Sequence, residues 1–370
     1  MKRNHYKTVI GVIAVAAAIL VAMPHAATAF DLKGKTVTIF VPFKEGGGSD
    51  TLARILQPHL QKALPGNPTV LVLNKPGGGS ITGANDFYKN GKPDGTQAAV
   101  WSSSTLLPVT LGSKLVKYDP SEVRAVFTMP RGAMLFVNGK ATGIKDPNDI
   151  VGTIKTLQKK PLVFGTKAPT GIFILDMLAL DMLDVEVKAI FGLGTSKSRQ
   201  AFLRGETTVN TDSTIKWLQK KEQLAEKANA VALFTMGNVS ADGSVNRDPG
   251  TPDLPTLFEV VEKVTGKAAE EQGAAYKAYR TLLNVRTAIS KMLLLPKGTP
   301  DNIVNAYITA VKTALDDPAV LKYIKKNAGK EPLSWGKDAE TLVAEGSNIA
   351  PDARAYIDNL LQAKFNVSLD

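Results

Sequence analysis

Four times along this chain a short β-rich run breaks into a glycine-bearing loop and then enters a stretch with helical spacing, and that cycle limits the fold more than any other feature. In the first, "KTVTIFVPF" leads through residues 44–50 to a helix whose Leu52, Ile55, Leu56, Leu60 and Leu64 share one face, with Ser49 or Asp50 as the expected N-cap. In the second, "TVLVLN" turns through "KPGGGS", so that Ser80 is placed to cap a helix carrying Ile81, Ala84, Phe87 and Tyr88. "PLVFG" and "VEVKAI" open the third and fourth, followed by the helical segments "IFILDMLALDML" and "TSKSRQAFLRG". A strand period that repeatedly gives way to a helix period predicts an α/β fold with helices flanking the sheet.

Each loop lies at the carboxyl end of a strand and the amino end of a helix. The first helical turn there carries unpaired N–H groups and the positive end of the macrodipole, so it receives anions without needing a basic side chain. Glycines let the backbone approach a guest closely, and in open α/β sheets ligands bind in the crevice beyond the carboxyl ends of the strands. The loops 44–50, 76–82, 165–171 and 192–198 are therefore the first candidates for a site. "WSSST" at 101–105 follows the run "TQAAV" and offers the hydroxyls of Ser103 and Ser104, either to the cleft or as a capped polar loop. A dinucleotide site is not supported: neither "GGGSD" nor "GLGTSK" completes G-x-G-x-x-G, and the second strand ends in Asn74 where a ribose-binding acid is wanted. No G-x-x-x-x-G-K-[ST] phosphate loop occurs.

The first residues read as an export signal. Lys2, Arg3 and Lys7 precede an apolar run from Thr8 to Met23, and Ala27-Thr28-Ala29 has the small-x-small form of a cleavage site, so a soluble periplasmic chain beginning at Phe30 is expected. The apolar run spans about 16 residues where a membrane helix needs about 20. Removing this leader leaves about 340 residues, more than one hydrophobic core usually serves, so two domains are expected. The chain has no cysteine, which excludes disulfides, thiolate metal sites and cysteine nucleophiles. Only His59 remains outside the leader, and one imidazole makes no histidine metal site. No metal or cofactor is expected. The net charge falls from +11 to +8 without the leader, but the lysines are scattered without interleaved aromatics, which argues against nucleic acid. A mild positive excess suits small anions as well as plain solubility.

The loops also carry a resemblance. Val41-Pro42-Phe43 with Gly46, Gly47, Asp50, Ala53 and Arg54, then Asn74-Lys75-Pro76-Gly77-Gly78-Gly79, then Pro93-Asp94-Gly95-Thr96, resemble the opening of the tripartite tricarboxylate transporter receptor family, the periplasmic solute-binding proteins also called Bug proteins. "PLVFGTKAPTG", "AIFGLGTSKSRQAFLRGE", "PDLPTLFEV" and "LLLPKGTPDNIVNAYITAVKTALDDP" resemble later family segments in the same order, so the likeness spans nearly all of the chain after the leader. It implies a two-lobed, type II-like periplasmic-binding-protein fold, each lobe a mixed sheet flanked by helices. One lobe would comprise 30–135 plus about 288–370 and the other about 136–287, with an insertion near 238–290 that adds a helix. It further implies a monomer that closes on a small organic carboxylate and hands it to integral-membrane transporter subunits. Carried over by position, the contacts are Gly46, Gly47, Gly48, Ser49 and Asp50 from the first loop, Gly78, Gly79 and Ser80 from the second, and Thr166, Gly171, Gly192, Gly194 and Thr195 from the other lobe; Lys44, Ser103, Ser104, Lys167, Thr170, Phe191 and Asp212 join them as candidates. Two departures stand out: Glu45 replaces a usual proline, and Phe191-Gly192-Leu193 replaces Tyr-Lys-Gly. The second makes the far wall more apolar, with Phe164, Phe191 and Leu193 nearby, and favours an aromatic or medium-chain aliphatic acid over citrate.

Some readings stay open at this level. Lys44 can meet a carboxylate or pair with Glu45, and Arg131 in "TMPRGAM" can fork onto a ligand or serve a hinge salt bridge. A hydrolase would need a base beyond His59 and a G-x-S-x-G elbow, which is absent. A sensory protein reporting carboxylates to a membrane receptor would share every feature used here.

Overall fold

The computed structural model describes residues 30–144, 148–166 and 170–369; the expected leader and its cleavage after Ala29 lie outside the described residues. From Leu32 onward the chain is one compact unit built on two sheets. All four strand–loop–helix cycles are present. The strands are β1 (Thr36–Val41), β2 (Thr69–Asn74), β3 (Gln97–Ser102), β4 (Arg124–Met129), β5 (Ala133–Asn138), β6 (Leu162–Gly165), β7 (Val187–Ile190), β8 (Val209–Ser213), β9 (Ala230–Thr235), the short hairpin β10 (Asn238–Val239) and β11 (Val245–Asn246), β12 (Lys291–Leu295) and β13 (Ser334–Trp335).

One sheet has the order β13-β4-β12-β3-β1-β2 and the other β7-β6-β8-β5-β9. Each contains three parallel strands, β2-β1-β3 and β7-β6-β8, joined at one side by a strand that runs against them. That antiparallel strand arrives from the opposite half: β4 of the first sheet passes through Pro130, Arg131 and Gly132 into β5 of the second, and the chain returns through Ser290 into β12 of the first. The reversal has a geometric consequence. Lys291, which begins β12, pairs with Ser102, which ends β3, and Ala133 pairs with Ser213 in the same manner. Both crossings therefore reach the sheet edges where the glycine loops lie.

The central strands read as continuous apolar runs because both faces are covered; all six residues of β5 are buried. Helix Gly48–Ala63 turns Leu52, Ala53, Leu56 and Leu60 inward, as the spacing requires. Phe87 sits between Phe40 and Trp101, and Trp101 in turn meets Tyr118 edge-on at 5.1 Å. Phe136 packs against Phe202 and Trp217 to form a separate core in the other half. Gly83 is required by close approach, since a Cβ there would stand 2.3 Å from the Lys75 carbonyl oxygen.

Three local expectations change. The N-cap of helix Gly48–Ala63 is Gly47, with Ser49 and Asp50 inside the helix. Ser80 does precede helix Ile81–Asn90, but at φ 103° its side chain makes no capping bond. "SST" opens a helix, Ser103–Thr110, because Leu106 and Leu107 can bury themselves on the sheet. The stretch 238–290 holds β10, β11 and the helices Leu257–Thr265 and Ala274–Leu283. The final helix, Pro351–Phe365, makes contacts with Asp181, Phe191 and Lys277, residues that the sequence reading placed in the other lobe.

Candidate functional site

Where the two crossings meet the strand ends, a polar cavity of about 240 Å³ opens between the sheets. Ser103 and Ser104 bound it on one side, Thr195 and Asp212 on the other, and Arg131, Arg286 and Lys291 line it. Helix Thr195–Leu203 begins at this wall with Gly194 as N-cap and no side-chain cap.

The charges are unevenly matched. Arg286 donates to the buried Asp176 at 3.1 Å, to the Ile172 carbonyl at 3.2 Å and to the Thr211 hydroxyl at 3.0 Å, so its guanidinium is fully engaged in structure. Arg199 is paired with Asp212. Burial raises the pKa of both carboxylates, and the arginines only partly offset it. Arg131 and Lys291 are different. The Arg131 backbone N–H is anchored to the Thr287 carbonyl at 2.7 Å, but its guanidinium makes one long contact, 3.3 Å to the Ser213 hydroxyl. Its side chain is exposed to solvent at the cleft, with Gly132, Phe173 and Arg286 also lining the cavity. Desolvation pulls its pKa below the arginine range; the charge of Asp212 opposes this, and repulsion from Arg286 and Arg199 adds to it. The Lys291 ammonium donates only to the neighbouring Ser290 carbonyl, at 3.2 Å. Burial, and then the charge of Arg131, bring its pKa down to about 8, with no carboxylate to oppose them. Arg199 and Arg286 are thus matched by Asp212 and Asp176, and the buried Asp248 and Glu331 lie behind Gly132, whereas neither Arg131 nor Lys291 is hydrogen-bonded to a carboxylate among the described residues. An anion suits that pair.

The first glycine loop supports this arrangement rather than lining the cavity. Asp50 is buried, and its carboxylate accepts from the Gly46 N–H at 2.8 Å, from Arg54 at 3.0 Å and from Asn74 at 3.0 Å. Burial alone would raise its pKa, but these bonds from Arg54, Gly46 and Asn74 win and hold it below the usual carboxylate range. Asp50 is therefore committed within the loop, and so is the Gly46 amide. Gly48 touches the site indirectly: a Cβ there would lie 3.4 Å from Lys291 Cε, and its carbonyl accepts from Tyr323 at 2.9 Å. Replacing Asp50 by alanine is expected to cost about 1–3 kcal/mol of stability, because three donors lose their acceptor at once; chemical denaturation measures it, and an unchanged midpoint would mean the loop is held some other way.

The remaining candidates divide. Gly79, Thr170 and Gly171 line a second, adjoining cavity. Ser80 and Thr166 are buried with hydroxyls that find no partner. Lys44, Gly47, Gly78, Gly192 and Gly194 are at the surface or in turns and line neither cavity, and neither does Ser49, buried within its helix. Glu45 approaches Arg54 at 4.0 Å, so the pairing of Lys44 with Glu45 is not seen. Phe191, 40 % exposed, packs edge-on against Phe365, and Phe164 is fully buried in the core; neither forms the far wall, where Phe173 stands instead. Lys167 lies outside the described residues. His59 is half-buried, 3.8 Å from Asp317 and remote from the cleft linings. Sequence reasoning missed Lys291, Arg286 and Arg199. Lys291 had left a trace, as a lone cation opening the otherwise apolar run "KMLLL".

No family model matches the chain. Among curated proteins it is 27% identical over 294 residues to a UPF0065 protein of Agrobacterium vitis encoded in the TAR-I ttuE-ttuC' intergenic region, covering 77% of this chain and 73% of that one. It is also 27% identical over 322 residues to a UPF0065 protein in the gbd 5' region of Cupriavidus necator, covering 86% of each. Among solved structures it superposes on a TctC solute-binding protein from Polaromonas with a TM-score of 0.62 at 20% identity, covering 89% of this chain and 98% of the other. MatC from Rhodopseudomonas palustris with bound malate gives 0.52 at 21% identity, with 88% and 98% covered, and an R. palustris protein with adipate gives 0.54 at 20% identity, with 90% and 98% covered. Among the described residues no helix is long and apolar enough to cross a membrane. The chain thus has the two-sheet fold of solved periplasmic solute-binding proteins, a TctC-type protein among them, and its curated sequence relatives are UPF0065 proteins.

Proposed function

We propose that this protein is a periplasmic solute receptor that captures a small organic carboxylate in the cleft between its sheets and delivers it, as a monomer, to integral-membrane transporter subunits. One observation carries the reading: Arg131 and Lys291, each at a crossing between the sheets, line the same cavity, and neither is hydrogen-bonded to a carboxylate among the described residues. A guanidinium fork and an ammonium facing a polar cavity suit one carboxylate, with Ser103, Ser104 and Thr195 as further donors. The glycine loop supplies the positive end of helix Gly48–Ala63 beside Lys291. The solved neighbours that hold malate and adipate support a carboxylate as the class of ligand. Because the site spans both crossings, binding is expected to favour the closed arrangement of the two halves.

A thermal-shift panel of mono-, di- and tricarboxylates tests this, since a ligand at about 100 times its dissociation constant adds about 2.7 kcal/mol. Carboxylates should raise Tm; a rise only with sugars, amines or metals would contradict the reading. Affinity should also depend on pH in one direction. A bound carboxylate favours protonated Lys291, so above a pKa of about 8 binding must take up a proton. Calorimetry is expected to show affinity falling by up to about tenfold per pH unit above that value, and a Lys291→Met variant should lose this dependence.

A further inference from the structure

Building on the carboxylate reading, we propose that the acid bound here carries an apolar chain or ring of about six to eight carbons, which lodges in an apolar annex of the polar cleft. A second cavity of about 650 Å³ adjoins the first and shares Ser104, Ile172 and Phe173 with it. Its wall is built from Ile81, Leu107, Pro108, Leu111 and Leu115, contributed by helices Ile81–Asn90 and Ser103–Thr110 and the turn that follows. Leu107 and Leu111 are nearly buried, while Leu115 at the mouth is 68 % exposed.

The two cavities have complementary chemistry. The polar one holds the cations and is small; the apolar one is larger, and among the described residues its lining includes a single charged side chain, the exposed Lys114. A short acid such as malate would satisfy Arg131 and Lys291 and leave the annex to water. Together the two volumes fall within the range that encloses a drug-sized ligand. An amphipathic acid uses both: its carboxylate meets the cations, and its tail passes Ser104 and Phe173 to displace water from Ile81, Leu107 and Leu111. Each methylene transferred is worth about 0.8 kcal/mol, or about fourfold in affinity.

Isothermal titration calorimetry with acetate, butanoate, hexanoate and octanoate, and with adipate and malate, tests the proposal on the whole protein. The expected result is an affinity that climbs about three- to fourfold per methylene up to octanoate. The Leu115→Glu variant, which places an anion at the annex mouth on an exposed position, should bind butanoate unchanged and octanoate at least tenfold more weakly. Malate and adipate binding as tightly as octanoate would overturn the annex while leaving the carboxylate site intact. Octanoate binding equally to an Arg131→Met variant would also overturn it, because the tail would then bind without the head. Failure of every acid, at any length, would instead strike at the carboxylate reading itself.

Discussion

Replacing Arg131 by methionine is expected to weaken carboxylate binding by about 30- to 1,000-fold, or about 2–4 kcal/mol, while leaving the ligand-free protein nearly as stable as before. The two halves of this expectation share a cause. Arg131 is held in the cleft by its backbone bond to the Thr287 carbonyl, which methionine retains. Its charge is disfavoured there by the enclosing walls and favoured by Asp212, with Arg286 and Arg199 adding repulsion, so losing it should cost the empty site little. The anion tips the balance toward the charge. Calorimetry gives the affinity and thermal melting the stability. A variant that lost stability and kept affinity would assign Arg131 to a hinge salt bridge instead.

Replacing Glu331 by glutamine is expected to raise stability at pH 8.5 and to flatten its pH dependence. Glu331 and Asp248 are both buried immediately behind Gly132; a Cβ on that glycine would stand 1.9 Å from Asp248 Oδ2 and 2.7 Å from Glu331 Oε1. As carboxylates the two supply no donor to each other; Asp248 Oδ2 and both Glu331 oxygens make no well-formed hydrogen bond, and the nearby Gly132 N–H only weakly favours the charged form of Glu331. A proton on Glu331 supplies the donor. Burial, followed by the charge of Asp248, raises its pKa from 4.5 to about 9. The folded chain therefore keeps a proton that the unfolded chain releases. This stability is fully present below about pH 4.5 and is lost as pH rises toward about 9, at a rate that cannot exceed about 1.4 kcal/mol per pH unit. Glutamine carries its own donor and does not titrate, so the difference between variant and parent should grow with pH. Equal slopes in denaturation series at pH 5, 7 and 8.5 would show that the pair is not protonated.

The repeated strand–loop–helix cycle was legible because periodicity is local: Leu52, Leu56 and Leu60 are apolar at helical spacing whatever surrounds them, and all are buried. The family likeness was legible for the same reason, through ordered short motifs. The crossings were not. That β5 and β12 run against their sheets, and thereby bring Arg131 and Lys291 to the same cleft, follows from pairing between residues far apart in the chain. Asp50 shows a different limit. An acid at a helix N-terminus beside glycines reads as a cap or a contact, whereas its partners Gly46, Arg54 and Asn74 decide that it closes the loop. Phe164 and Phe191 were not placed by the sequence: a strand's alternation does not say which face meets the core, and Phe164 turned inward, while Phe191, in the turn after β7, found Phe365 near the other end of the chain.

Two cations are expected to share one anion, and a crystal structure with octanoate or adipate bound, whichever raises Tm more, tests this most directly. The predicted result is a carboxylate with oxygens about 3 Å from both the Arg131 guanidinium and the Lys291 ammonium. A carboxylate seated elsewhere, with Arg131 and Lys291 still unpaired, would contradict it.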